Sequence, residues 1–406
     1  MRRRKINKRT VRIIRIIRDH MMRDLRNKIS KAPVLAAALL AALLLCSCGI
    51  NTTPIEKITS EKENAATQES SGEIKEQQTP GDDDGDGLGD TFSGETKRPE
   101  DPVGEAEEKE EPPAQENKDI DLIFFMGQSN MSGAGGDASA APHVSEDAGM
   151  EFRAVSDPTK LYPITEPFGI NENCPTGLHE YPGAKKGSLV SAFVNEYHRR
   201  TGRKVIAVSI SMGATDMTTW KTQGVIDDVK NRFDTTVTWL RNNGYTIGHL
   251  YALWLHGESD AIEGTNPEVY RTALDDIMRP LFIGGLQKVF IIMPGRTIDY
   301  KDIFLDIINM QKKICAESGY YAVATTILTR VSTEYMKDQY HYNQHVLNMV
   351  GIDAARAVAY YTDHKEEMIV YDYREEKNII PDGVEPDSQK LEENIHLTDL
   401  DINEAY

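Results

Sequence analysis

The folded part of this sequence predicts an α/β fold: three layers, α/β/α, around a five-stranded parallel sheet. Two observations carry that expectation. Five short runs, at residues 122–126, 205–210, 250–255, 289–293 and 321–327, are predominantly apolar rather than alternating, as strands buried on both faces are. The stretches between them show helical spacing, and strand–helix–strand alternation with connections this long fits parallel pairing covered on both sides. Crossovers should be right-handed, and a site should lie at the carboxyl ends of the strands.

Composition removes much of the chain from that fold. Residues 1–31 are strongly basic, residues 32–45 are almost wholly Ala, Leu and Val, and Cys46-Ser47-Cys48-Gly49 follows. The apolar run is shorter than the roughly 20 residues of a membrane-spanning helix. Basic, apolar and small-residue regions in that order describe a secretory signal. Leu45-Cys46-Ser47-Cys48 resembles a bacterial lipobox. That implies a signal peptide over residues 1–47, lipidation of Cys48, and an exported bacterial lipoprotein anchored to the membrane and facing outside the cytoplasm. Met21 and Met22 offer alternative translation starts.

Residues 48–118 are rich in Glu, Lys, Asp, Gln, Ser, Thr and Pro and nearly free of aromatics. Such a segment buries too little apolar surface to offset its ordering entropy, so it reads as a disordered acidic linker. Asp82-Asp83-Asp84-Gly85-Asp86-Gly87 imitates the start of a calcium loop, but Ser93 stands where the loop needs a bidentate Glu. A solvated run is the better reading. The net charge of −18 argues against nucleic acid as a partner. With Cys46 removed and Cys48 lipidated, Cys174 and Cys315 remain, and nothing in their spacing says whether they pair; no metal-ligand cysteine pattern is present.

The folded domain is expected over residues 119–362. Its first strand runs into Gly127-Gln128-Ser129-Asn130-Met131, where a glycine permits a sharp turn and Ser129 falls at the mouth of a helix. Backbone N–H groups there can stabilise an anion. A serine that merely bonds its own turn is the plainer alternative. Helices are expected over 188–200, with Leu189, Phe193 and Tyr197 at four-residue steps, and over 225–242, 270–278 and 303–317. The second strand leads into Met212-Gly213-Ala214-Thr215, and the third into His256-Gly257-Glu258-Ser259-Asp260. Glu258 and Asp260 suit an acid/base pair, or equally the fixing of a loop by accepting backbone N–H bonds. Asp338-Gln339-Tyr340-His341-Tyr342-Asn343 precedes a last helix. An Asp three residues before a His can bond ring Nδ1 and leave Nε2 free to take a proton. His345, inside that helix, and His143, in a polar loop, lack such a partner. Residues 363–406 form an acidic tail with one apolar patch at 368–373.

Gly-Gln-Ser-Asn-Met, Gly-x-Thr followed by Trp, Gly-Glu-Ser-Asp and Asp-x-x-His-x-Asn occur in this order, three after expected strands and one before the last helix. In this the chain resembles the SGNH hydrolase superfamily. Within it the likeness is to the sialate O-acetylesterase-like and acetylxylan esterase group (carbohydrate esterase family 6). The resemblance implies a flavodoxin-like SGNH hydrolase fold and a serine esterase that removes O-acetyl groups from carbohydrate without metal or organic cofactor. It assigns Ser129 as nucleophile, His341 as base and Asp338 as its orienter. The oxyanion hole would come from the Ser129 N–H, the Gly213 N–H and a polar side chain in the third block. That side chain is His256 here, where the family usually has Gln, and Ala214 stands where the family tends to pair glycines. Gln128, Glu258, Asp260 and Asn343 are candidates for support, and Trp220 or Tyr340 for a flat face to a sugar ring. Two other readings fit the same chain: a non-catalytic surface glycan-binding lipoprotein, and a lipase- or thioesterase-like hydrolase. The long polar loop 137–186 suits either kind of pocket.

Overall fold

The computed structural model describes residues 118–300 and 302–390. The expected signal peptide, the Cys48 lipidation site and the calcium-like run lie outside the described residues, as does all but the last residue of the linker.

Nine strands and eight helices follow one another along the described chain. The main-sheet strands are β1 (Asp119–Gly127), β2 (Gly149–Phe152), β3 (Leu161–Pro163), β4 (Lys204–Ser211), β5 (Thr246–Leu255), β6 (Lys288–Ile292) and β7 (Tyr321–Thr325). The helices are α1 (Ser129–Ser132), α2 (Val190–Thr201), α3 (Met217–Trp220), α4 (Gln223–Asn242), α5 (Glu258–Glu263), α6 (Pro267–Ile283), α7 (Leu305–Glu317) and α8 (Gln344–His364). The sheet order is β3-β2-β4-β1-β5-β6-β7.

The sheet therefore has seven strands, not the five expected. β1, β4, β5, β6 and β7 are the five apolar runs, and they pair in parallel. β2 adds to β4 in parallel, and β3 closes that edge antiparallel to β2. Both additions are only three or four residues long inside the polar loop, too short for a period-two pattern to stand out.

β1 shows why its sequence is apolar without alternation. Ile120, Leu122, Phe124 and Met126 join one core with side chains of α4, α6 and α7, whereas Ile123 and Phe125 join the other with α2 and α8. Phe124 stacks on Phe233 at 5.1 Å between ring centres, and Phe125 meets Phe193 edge-on at 5.4 Å. Each fully buried side chain of this size contributes roughly 1.5–3 kcal/mol, so a polar residue on either face of β1 would cut into one core or the other.

Among the five parallel strands the order β4-β1-β5-β6-β7 makes β1 the place where successive connections diverge. Open α/β sheets bind their ligands at the carboxyl end of such a strand. Past α8 the chain forms a hairpin, β8 (Val370–Asp372) with β9 (Lys377–Ile379). It is stitched to the domain by the Tyr373 N–H donating to Thr326 Oγ1 at 3.0 Å and by Thr326 Oγ1 donating to the Tyr371 carbonyl at 3.1 Å. Cys174 and Cys315 are unpaired. Among the described residues no helix is long and apolar enough to cross a membrane.

Candidate active site

The turn after β1 is dictated by crowding. Gly127 has φ +145°, and a Cβ there would lie 2.0 Å from the Leu255 carbonyl oxygen at the end of β5. Only glycine fits that approach. The Gln128 N–H then donates to the same Leu255 carbonyl at 3.0 Å, fixing the turn to β5 and setting Ser129 at the first position of α1. The first N–H groups of a helix have no intrahelical acceptor, which leaves the Ser129 N–H available to a ligand oxygen. Gln128 itself is buried, and its Oε1 accepts long bonds (3.4 Å) from the Gly257 and Ser259 N–H groups.

Asn130, which sequence reasoning did not single out, joins three parts of the site. Its Nδ2 donates to Glu258 Oε1 at 2.9 Å and to the Tyr340 carbonyl at 3.1 Å, and its Oδ1 accepts the Tyr342 N–H at 3.4 Å. The residue beside Ser129 thus grips the backbone on both sides of His341. Gly135 makes the close contact possible, since a Cβ there would meet His341 Cβ at 2.8 Å.

His341 Nδ1 lies 2.8 Å from Asp338 Oδ2, while Asp338 Oδ1 accepts the N–H groups of Tyr340 (2.9 Å) and His341 (3.0 Å). Partial burial pulls the Asp338 carboxyl upward, but the ring and backbone hydrogen bonds outweigh it and hold the group below the usual carboxylate range. An ionised Asp338 favours the tautomer with the proton on Nδ1, leaving Nε2 as acceptor. Ser129 Oγ and the imidazole make no direct hydrogen bond in this structure; such bonds often tighten only when substrate is bound. Asn343 caps α8 by accepting the Val346 N–H at 3.1 Å, which sets where the helix begins just after the histidine.

Gly213 follows β4 on the other side of Ser129. A Cβ on Gly213 would stand 3.3 Å from Ser129 Cβ and 3.2 Å from Glu180 Oε1. Its N–H is occupied: Glu180 Oε2 accepts it at 2.7 Å. Glu180 comes from the long loop, and no pattern in the sequence marks it. Nearby, buried Lys185 donates to Ser209 Oγ (3.1 Å) and Ser211 Oγ (3.3 Å). Burial pulls the Lys185 ammonium down to about 8, with the charge of Glu180 acting the other way.

Two residues expected at the pocket are instead inside the protein. Trp220 is fully buried, donates from Nε1 to Thr215 Oγ1 at 2.9 Å, and meets Trp254 edge-on at 4.8 Å. It offers no face to a sugar. His256 is fully buried among Trp220, Trp254 and Tyr270, and neither ring nitrogen makes a hydrogen bond of ordinary geometry. Its place in an oxyanion hole is not supported, because an imidazole so enclosed presents no N–H to the pocket. Both share a cause: a ring directly after a strand, as His256 is, or at the end of a one-turn helix, as Trp220 is, can point into the helical layer as easily as outward.

Asp260 is also buried, and its two carboxylate oxygens accept the Met217 N–H at 3.1 and 3.2 Å, which fastens α3 to α5. Glu258 is buried, with Oε2 unbonded. Burial pushes its carboxyl above the usual range, against the Asn130 hydrogen bond. Tyr340 stays half-buried, its ring edge-on to His341 with 6.3 Å between ring centres. Among the described residues no group of three or more His, Cys, Asp or Glu side chains is arranged to hold a metal ion.

A family model described as carbohydrate esterase, sialic acid-specific acetylesterase (SASA) matches residues 119–360. The chain belongs to this family. The matched span runs from β1 into the last turns of α8, so the acetylesterase-family domain contains every residue of the site just described. Solved structures similar to it include a protein from Arabidopsis thaliana, at 15% identity and TM-score 0.42, covering 60% of this chain and 98% of that one. A carbohydrate acetylesterase from Xanthomonas citri matches at 12% identity and TM-score 0.37, covering 61% of this chain and 58% of that one. A GDSL-like lipase from Bacteroides thetaiotaomicron matches at 12% identity and TM-score 0.28, covering 44% and 85%. No curated protein matches this esterase-family chain.

Proposed function

We propose that the protein is a serine O-acetylesterase acting on O-acetylated carbohydrate: acetylated xylan, sialic acid or a related glycan. Ser129 Oγ attacks the ester carbonyl as His341 Nε2 takes its proton, and Asp338 steadies the imidazolium through Nδ1–H. The tetrahedral oxyanion is held by the N–H groups of Ser129 and Gly213. Collapse breaks the bond to the sugar oxygen, which takes the proton from His341 and leaves as a hydroxyl, and an acetyl-Ser129 ester remains. His341 then activates a water molecule, which releases acetate. With His256 enclosed, the hole has two backbone donors. Loss of one donor in a comparable site costs about 100- to 1,000-fold in turnover, so a modest rate is expected.

The observation that carries this reading is the grip of Asn130, next to Ser129, on the backbone flanking His341. Ser129→Ala should lower 4-nitrophenyl acetate hydrolysis at least about 1,000-fold with an unchanged thermal unfolding midpoint. Retained turnover in that variant removes Ser129 from the mechanism. The proposal includes export and anchoring through Cys48. Labelled palmitate should enter the full-length protein in a bacterial host and fail to enter Cys48→Ala; equal labelling of both would count against the anchor.

A further inference from the structure

Glu180 occupies the donor that the oxyanion needs. Its carboxylate is buried, accepts the Gly213 N–H at 2.7 Å, and flanks the same glycine that Ser129 Cβ approaches. A negative charge at this place opposes an oxyanion forming beside it. The main chain of Glu180 is pinned: its N–H donates to Asn173 Oδ1 at 2.9 Å and its carbonyl accepts Asn173 Nδ2 at 3.0 Å. The turn before it is tied to α4, where Asp228 Oδ2 accepts the Leu178 N–H at 2.9 Å and Arg232 donates to the Glu172 carbonyl at 2.8 Å. Departure from Gly213 is therefore a rotation of the side chain alone. Buried Lys185, on which Glu180 is the largest of the acting charges, directs its Nζ to the hydroxyls of β4, so the two make no direct ion pair.

Ligands meet such a group differently according to charge. An uncharged acetyl ester gives the Gly213 N–H a carbonyl oxygen in exchange for the carboxylate. An ester bearing its own carboxylate close to the acetyl group meets like charge in a poorly hydrated place. Free acetate must compete for an N–H already held by a tethered acid. We propose that Glu180 is a specificity-determining residue, a charge filter at the oxyanion donor that admits neutral acetyl esters and turns away the acetate product and esters with a carboxylate close to the acetyl group, so that among the candidate substrates acetylated xylan is favoured over O-acetylated sialic acid. This rests on the reading of Gly213 as an oxyanion donor and adds a substrate class to it.

The test uses two matched aryl acetates, methyl 4-acetoxybenzoate (neutral) and 4-acetoxybenzoate (anionic). The ratio of their kcat/KM values is compared between the wild type and Glu180→Gln, so that differences in intrinsic reactivity cancel. The neutral-to-anionic ratio should fall about tenfold in the variant, as expected for two charges several ångströms apart at an intermediate dielectric. Acetate affinity, followed by NMR titration and needing no turnover, should rise about tenfold. Glu180→Ala, lacking both charge and acceptor, should move both readouts the same way. An unchanged ratio or an unchanged acetate affinity in either folded variant overturns the proposal. If the wild type cleaves neither ester, the esterase reading fails, and the acetate titration alone still decides the role of Glu180.

Discussion

Burial drives the His256 imidazole down to about 3 and lifts the Asp260 carboxyl to about 6, and the two shifts act on stability in opposite senses. The unfolded chain protonates His256 near 6.5 while the folded chain does not. The stability His256 contributes is therefore complete above pH 6.5 and is lost as pH falls from there toward 3. Asp260 keeps its proton longer when folded. Its contribution is complete below 3.8, the unfolded value, and is lost as pH rises through 6. Between about pH 4 and 6 the two slopes offset one another. His256→Gln should then lose less stability than the wild type on acidification from pH 6.5 to 4, by up to about 3 kcal/mol at 1.36 kcal/mol per pKa unit. Asp260→Asn should lose more. Urea unfolding at pH 7, 5 and 4 checks both, and three parallel pH profiles would contradict the assignment.

Among the elements, the turn between β4 and α3 carries the clearest strain. Ala214 sits at φ 56°, in the left-handed region where a Cβ costs roughly 1–2 kcal/mol. The sequence already set Ala214 apart as departing from a paired-glycine pattern, and the backbone supplies the reason for the pattern. Ala214→Gly should stabilise the protein by about 1 kcal/mol, less the extra chain entropy of glycine. Thermal unfolding would show this as a rise in Tm of a few degrees, and a fall would mean that the turn gains from the methyl group. Asp216, which caps α3 by accepting the Thr219 N–H at 2.8 Å, and Asp260 together fix the far end of this turn, so relief of strain at Ala214 should leave α3 in place.

For the molecule as a whole, strand runs and helix spacing were readable because burial on both faces leaves a long apolar signature, as β1 illustrates. Asp338 and His341 were readable because three residues of separation suffice to bring carboxylate and ring together. β2 and β3 were not, being too short, and Glu180 was not, because a carboxylate in a polar loop looks the same whether it faces solvent or a backbone N–H. Trp220 and His256 failed for a further reason: the direction a side chain takes in the turns and short helices after a strand is decided by the helices that pack there, which local pattern does not encode. The grip of Asn130 has a consequence in heat. The histidine-bearing segment is short, closed by a single bridge between Met336 and Tyr342 and by the Lys337 N–H donating to the His341 carbonyl at 2.8 Å. Its seating on the nucleophile's turn depends on one amide. Tyr342 anchors the segment elsewhere, its hydroxyl accepting the Arg296 N–H at 2.9 Å, but a contact resting on one side chain can part before the core opens. On warming, the initial rate of ester cleavage should vanish several degrees before far-UV ellipticity changes, and Asn130→Ala should widen that interval; two coincident curves would mean that the amide is not the weak seam.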